Sequence, residues 1–479
     1  MNTEIKLVSK HNDTQSLIIL TTDVNAKHIV FTDEQRKYVV EQLKENKTRR
    51  VDVNQFKRWI HYFVLDTEAK KDINKAAEQY RNKGYSLLSS IKRNKISEIT
   101  IVDEIGNPAF ALALAEGIAL SNYSFLKYKK KKEGSPLKTI NILSKKINAK
   151  DLLHLNNSIS GTYLARTLVN EPHSYLTASR FAADIENLGK ELGFKVEVFN
   201  EAKIETLKME GLLAVNRGSM EPPTFTVMEW KPRNAVNKQP IVLVGKGVVF
   251  DTGGVNIKSY AGMVDMKCDM GGAAAVVGTF YALAKSKLQV YVLGLVPSTD
   301  NRTGEDAMLP GDIITMPNGV NIEILNTDAE GRLILADALI YAQKYNPQLV
   351  IDLATLTGAA AKAIGKYGIV AMGTTDAEMN KLKKSGNAVH ERLVEFPLWD
   401  EYDELIKSEV GDIKNIGGAD GGAITAGKFL QHFVNYPWIH LDIAGPAFLE
   451  TNGSYTGLGG TGVGVRLLFD FLKNKASRK

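Results

Sequence analysis

Two kinds of apolar pattern alternate along the chain: short runs dense in β-branched residues, and longer stretches whose apolar residues recur every three or four positions. The first kind reads as strands and the second as helices. In the first 150 residues "SLIILTT", "WIHYFVLD" and "EITIVDE" predict strands, and "DINKAAEQYRNKGYSLLSSIKR" and "AFALALAEGIALSNYSFLKY" predict helices. "KKEGSPLK" reads as a turn. From 151 to 180 the pattern gives one helix, a break at Pro172, and a second helix capped near Thr177 or Ser179. This segment is the expected linker between an N-terminal domain, 1–150, and a C-terminal domain, 181–479.

Beyond the linker, "PIVLVGKGVVF", "VYVLGLVPS", "NIEIL", "LVIDLATL" and "IHLDIAG" have the density of buried strands, with helices "GGAAAVVGTFYALAKSK" and "LILADALIYAQKY" between them. The pattern predicts an α/β protein: a C-terminal mixed sheet flanked by helices on both faces, with a smaller N-terminal α/β domain. In such sheets, sites gather where strands end and loops begin.

Length supports the division, since 479 residues exceed what one core usually holds. The 44% hydrophobic and 24% charged fractions are those of ordinary folded proteins. No apolar run reaches the roughly 18 residues of a membrane span, and "MNTEIKLVSKHNDTQ" lacks the apolar core of a secretory signal. The single cysteine, Cys268, has no partner for an internal disulfide. A reducing, cytoplasmic setting is therefore expected.

Charge is uneven. Residues 1–150 hold 28 basic against 17 acidic side chains, +11, whereas the remainder holds 32 against 37, −5. A basic first domain leaves an acidic partner such as nucleic acid open, against the plainer reading of a lysine-rich solvated surface. "KYKKKK", from Lys127 to Lys132, follows an apolar helical pattern and suits a helix C-terminus.

Candidate chemistry begins at "NTDAEGRLILADAL", where Asp328, Glu330 and Arg332 occupy every second position. Charges two apart share a face only on an extended backbone, so the spacing predicts an extended stretch on which the three converge. The competing reading is a solvated loop with an acidic cap for the helix that Leu333 starts. "VGKGVVFDTGGVNIK" adds Lys246, Asp251 and Lys258, and "VDMKCDMGGAAA" puts Asp269 just before a helix-opening glycine pair. Four carboxylates are thus expected after four separate strand ends. Gathered acids repel and protonate unless positive charge neutralises them, and divalent metal ions are the usual neutraliser. Oxygen-rich ligation suits manganese or magnesium, and zinc accepts it too.

Other chemistries lack their signatures. There is no HExxH, and "HERLV" at His390 fails at its last position. "GLGGTG" from Gly457 fits GxGxxG, but only 17 residues follow it, too few for the βαβ unit of a dinucleotide site. No GxxxxGK[ST] stands at a strand end. Cys268, beside Asp269, reads as a small buried residue on the approach to a helix and not as a nucleophile.

Taken together and in order, "ARTLVNEP", "GLLAVNRGS", "VGKGVVFDTGG…K", "DMGGAAAV", "NTDAEGRL", "DLATLTGA", "DIAGPA" and "TGVGVRLLFDFL" resemble the leucyl aminopeptidase family, the cytosolic M17 metallo-exopeptidases, over roughly residues 160 to 470. The first 150 residues carry no such signature, and their match to the family's smaller, macro-like domain rests on position. The resemblance implies that Lys246, Asp251, Asp269, Asp328 and Glu330 ligate two ions, Mn2+ or Zn2+. It makes Lys258 the electrostatic catalyst at the developing oxyanion and Arg332 the anchor of a bicarbonate ion that takes the proton from the attacking water. It places Met266, Thr355, Gly358 and Ala447 at or near the pocket for the substrate's first residue. Asp300 in "PSTDNRTG", where a glutamate is commoner, and the Pro446–Ala447 pair leave substrate preference open.

The activity so implied is release of N-terminal, preferably leucine-like residues from short peptides, by a homohexamer in the cytoplasm and away from the membrane. Two alternatives stand beside it: a bifunctional peptidase whose N-terminal domain binds nucleic acid, and a metal-free structural homologue.

Overall fold

The computed structural model describes residues 3–28, 30–65 and 71–477. The chain separates into two compact units, residues 1–159 with 452–457, and residues 160–451 with 458–479. Among the described residues, the first unit is built on six strands: β1 (Glu4–Leu7), β2 (Ser16–Thr21), β3 (Arg50–Asn54), β4 (Trp59–Val64), β5 (Glu98–Asp103) and β6 (Thr139–Leu143). Their order is β1-β6-β5-β2-β4-β3, parallel except where β3 meets β4. The expected strands at 16–22, 59–66 and 98–104 are all present, and Asp66 lies outside the described residues.

The expected helix at 109–128 is shorter than its apolar pattern. It runs Pro108–Ser121, opened by the Asn107 side chain accepting from Ala109 N at 3.1 Å and closed at Asn122. Asn122 also spends its side-chain amide on Thr3 Oγ1 and Leu137 O, which turns the chain away. The basic run Lys127–Lys132 therefore lies in turns beyond the helix and does not serve its C-terminus.

In the second unit, nine strands form one mixed sheet: β7 (Lys195–Phe199), β8 (Thr224–Trp230), β9 (Ile241–Gly245), β10 (Gly247–Asp251), β11 (Val292–Asn301), and, after the short β12 (Ile313–Thr315) and β13 (Asn321–Glu323) of a separate sheet, β14 (Leu349–Ala354), β15 (Ile369–Gly373), β16 (Leu393–Glu395) and, past β17 (Ile413–Lys414), β18 (Trp438–Asp442). The order is β16-β15-β18-β14-β9-β11-β8-β7, with β10 on β11. The centre is parallel: β18, β14, β9 and β11 run together.

Parity explains why these strands read as unbroken apolar runs. Ile241, Leu243, Leu349, Ile351 and Leu353 pack on one face against the helices Gly271–Lys285, Ala178–Leu192 and Val465–Ala476. Val242, Val244, Val350 and Ala354 pack on the other, against Gly331–Ala342 and Gly422–Gln431. Both faces of the sheet are covered.

One expected strand is two. "PIVLVGKGVVF" breaks at Lys246: β9 pairs with the start of β11, while β10 pairs with its end. At the break Lys246 N donates to Leu353 O (3.0 Å) and its carbonyl accepts from Ala273 N (2.9 Å). The lysine is thus clamped between a strand and the first turn of a helix, at the C-terminal ends of β9 and β14.

Candidate metal centre

Asp251 closes β10 directly beside Asn301 of β11, after a shift in register between Val248 and Asp251. Such irregularities re-aim a side chain at a strand end. Its Oδ1 accepts from Gly253 N and from Asn301 Nδ2, both at 2.8 Å, and its Oδ2 lies 2.7 Å from Lys258 Nζ. The turn that returns Lys258 to Asp251 needs left-handed backbone at Gly253 (φ +88°), where a Cβ would also stand 2.5 Å from Asn256 O.

Lys246 reaches the same region from the C-terminal end of the central strand β9. Its Nζ lies 2.8 Å from Asp269 Oδ1, 2.8 Å from Glu330 Oε1 and 3.1 Å from Thr355 O. Asp269 is further held by Thr355 Oγ1 at 2.7 Å. Lys258 contacts Asp328 as well as Asp251.

Asp251, Asp328 and Glu330 each present one oxygen within 4.8 Å of the others. Asp251, Asp269 and Glu330 are buried, and Asp328 is 31% exposed on the open side.

The backbone route to this convergence differs from the expected one. Residues 326–330 form a turn, not an extended stretch, and the following helix opens at Gly331. Asn326 Oδ1 accepts from Asp328 N at 2.8 Å, and Asn415 clamps the turn from far along the chain through Leu325 N, Asn326 N and Asn326 O. Nor do four acids follow four strand ends. Asp251 ends a strand, but Asp269 caps the short helical turn Met266–Cys268 and Glu330 immediately precedes a helix. Spacing of two looked extended because side-chain hydrogen bonding within a turn leaves no mark in a hydrophobic pattern.

Electrostatics follow from four acids facing two ammonium groups. Burial, with Glu330 close by, pushes Asp251 up to about 7. Asp269 is raised well above the usual carboxylate range by complete burial, and Asp328 is raised by burial. For Glu330 burial alone would do the same, but Lys246 overrides it and holds the carboxyl low. Burial would likewise lower Lys246 and Lys258, and their carboxylate partners instead raise both. Four carboxyl groups face two ammonium groups, and the raised acids hold protons that a bound cation would displace.

The residues fit divalent metal on their own terms. Asp269 Oδ2, Asp328 Oδ1 and Glu330 Oε1 are buried acceptors without an aligned hydrogen bond, although ammonium nitrogens lie close to each. Each ammonium group is shared between two carboxylates, Lys246 between Asp269 and Glu330 and Lys258 between Asp251 and Asp328, so the acids outnumber the cations that face them. A set of carboxylate oxygens with one amine suits hard or borderline dications.

Arg332 is buried in the first turn of its helix, with one guanidinium nitrogen 2.7 Å from Asn415 O and Nε unbonded. Its guanidinium stands 6.0 Å from the Phe429 ring centre, and burial lowers it to about 10. Thr355 and Ala447 come together around Gly271, where a Cβ would meet them at 3.3 and 3.6 Å. Met266 lies one turn before Asp269, and Gly358 opens the helix Gly358–Ile364 with free space at its Cβ position. Cys268 is buried, and burial pushes its thiol up to about 12.

Asn301, Thr327, Asn256 and Asn415 leave no signal in the sequence, being neutral residues whose weight lies in their partners. Asp300, which the sequence does single out, faces elsewhere. Strand alternation turns Asp300 to the opposite face, where it accepts from Arg302 Nε at 2.6 Å and lies 3.4 Å from His173 Nε2.

The catalytic-domain model of the cytosol aminopeptidase family matches residues 163–469. The chain is similar to a probable cytosol aminopeptidase of Chloroherpeton thalassium, 52% identical over 315 residues, which are 65% of this chain but only 61% of that relative's length. A probable cytosol aminopeptidase of Clostridium perfringens is 41% identical over 418 residues, 85% of each chain. Among solved structures, a mutant tomato leucine aminopeptidase superposes with TM-score 0.86 at 28% identity, over 98% of this chain and 96% of that one. The bottromycin maturation enzyme BotP in complex with Mn gives TM-score 0.83 at 28% identity, over 96% and 100%.

Proposed function

The chain belongs to the cytosol aminopeptidase family, and from that premise we propose that it is a metal-dependent aminopeptidase releasing N-terminal, preferably leucine-like residues from short peptides. The observation that carries this reading is the convergence of Asp251, Asp328 and Glu330 within 4.8 Å, amid more buried acid than the two lysines offset. Lys246, Asp251, Asp269, Asp328 and Glu330 would hold two divalent ions. Manganese is supported by the Mn complex of BotP, and zinc suits the same donors. When bound, such ions bind a free amine, polarise the scissile carbonyl and acidify water.

The remaining roles belong to side chains of this chain. Lys258, 16% exposed at the rim of the acidic cluster, is a donor for the oxyanion that develops on the carbonyl. Arg332 offers a planar fork with an unbonded Nε, which suits a planar bicarbonate acting as proton acceptor. Lys246 can ligate only as a neutral amine. Its proton is retained by Asp269 and Glu330, so cation binding at those acids is what would release it. Thr355 steadies Asp269, and with Met266, Gly358 and Ala447 it would shape the pocket for the first side chain.

The test is hydrolysis of amino-acid anilides after chelation, with manganese, zinc or cobalt restored separately. Restored turnover on leucine anilide is expected, and inactivity with every metal overturns the reading. The proposal extends to a cytoplasmic homohexamer, which light scattering would register as a particle about six times the 52.7 kDa chain. No helix of the described residues is long and apolar enough to cross a membrane. For the nucleic-acid alternative, the charge of residues 1–150 is the sole support.

A further inference from the structure

We infer that Asn301 is a positioning residue of the metal centre, an amide that fixes the Asp251 carboxylate and ties together the two loops that carry the acids. The inference rests on the metal reading above. Asn301 is the last residue of β11 and is buried. Parallel pairing sets it directly beside Asp251, and neighbours in register share a face. Its Nδ2 donates to Asp251 Oδ1 at 2.8 Å and to Thr327 O at 3.0 Å. The backbone carbonyl of Asn301 accepts from both Thr252 N and Thr252 Oγ1 at 2.9 Å.

Thr327 continues the clasp. Its hydroxyl donates to Gly253 O at 2.7 Å and accepts from Asn256 N at 2.9 Å, while its own N–H reaches Asn256 Oδ1 at 2.8 Å. One amide thus spans the strand end bearing Asp251 and the turn bearing Asp328 and Glu330. With Gly253 N, it occupies Asp251 Oδ1 and leaves Oδ2 as the oxygen facing the cluster. Ligating carboxylates are commonly oriented by such outer partners, whose loss typically weakens metal binding about 10- to 100-fold.

The experiment is titration of chelated full-length chain with Mn2+ alone, reading free Mn2+ by electron paramagnetic resonance, for the wild type, Asn301→Ala and Asn301→Leu. Thermal melting of each metal-free chain is measured alongside. Leucine keeps the branching of asparagine without its donor but is larger, and alanine removes the donor without adding bulk, so weakening shared by both variants reports the lost donor and not crowding. The expected result is Mn2+ uptake about 10- to 100-fold weaker in both variants, with metal-free melting close to wild type. Wild-type affinity in the leucine variant overturns the inference, and if that variant does not fold, the alanine variant decides by the same criterion. A wild-type chain that takes up no Mn2+ overturns the metal reading itself.

Discussion

Gly331 lies so close to Lys246 that a Cβ on the glycine would stand 2.6 Å from Lys246 Cε and 2.7 Å from its Nζ. The residue after Glu330 is thereby tied to the lysine that holds Glu330, and bulk at one displaces the other.

Gly331→Ala is accordingly expected to push the lysine off Asp269 and Glu330 while leaving the fold intact. Overpacking costs about 1–3 kcal/mol, and the helix preference for alanine over glycine returns about 1 kcal/mol. Metal affinity should fall on the order of tenfold or more, with metal-free stability changed by less than about 2 kcal/mol. Calorimetric metal titration beside a denaturant melt checks this, and unaltered affinity would show that Lys246 is free to move.

Lys258→Ala should retain metal yet lose turnover. The side chain is assigned to the developing oxyanion, and loss of one such donor typically costs about 10² to 10³ in rate. Metal content after dialysis and kcat on leucine anilide are the two measurements. Near-normal kcat would remove Lys258 from the mechanism.

Asp269→Ala and Glu330→Ala should behave in the opposite sense, losing metal and activity together, because each removes a carboxylate that faces Lys246 directly. Two ions per chain surviving dialysis in either variant would refute the ligand assignment.

A fourth prediction concerns pH. His440 and Asp352 are paired across β18 and β14 at 2.5 Å, both fully buried, and Trp438 Nε1 donates to the other Asp352 oxygen at 2.6 Å. Burial alone would lower His440, but Asp352 overrides it and the imidazolium is held above its ordinary range. A raised folded value means stability fully present below about pH 6.5, the unfolded value, and lost as pH rises through the folded one. Removing one partner of a buried pair costs about 3–5 kcal/mol. The stability gap between wild type and Asp352→Asn should therefore be widest below pH 6.5 and narrow in alkali. Denaturant melts from pH 5 to 10 test it, and a constant gap would contradict a charged pair.

The acids were legible because each stands close to glycines at the boundary of an apolar run. The α/β class was legible for a related reason: strands buried on both faces, such as β9 and β14, leave continuous β-branched runs. Partly exposed strands such as β7, "KVEVF", alternate with charge and merge into their surroundings. Least legible were contacts that join distant residues. Asn415 holds the turn at Asn326 from 89 residues away, and Asn301 holds Asp251 from 50. An asparagine announces nothing until its neighbours across the sheet are known.

Cys268, the chain's sole thiol, lies buried one residue from Asp269 with its ionisation suppressed. Thiolate, not thiol, reacts with alkylating reagents, so the native protein should be inert to them on ordinary timescales. The cysteine becomes a built-in clock for opening of the catalytic core: the rate at which it takes up a label counts how often the wall behind the acids comes apart.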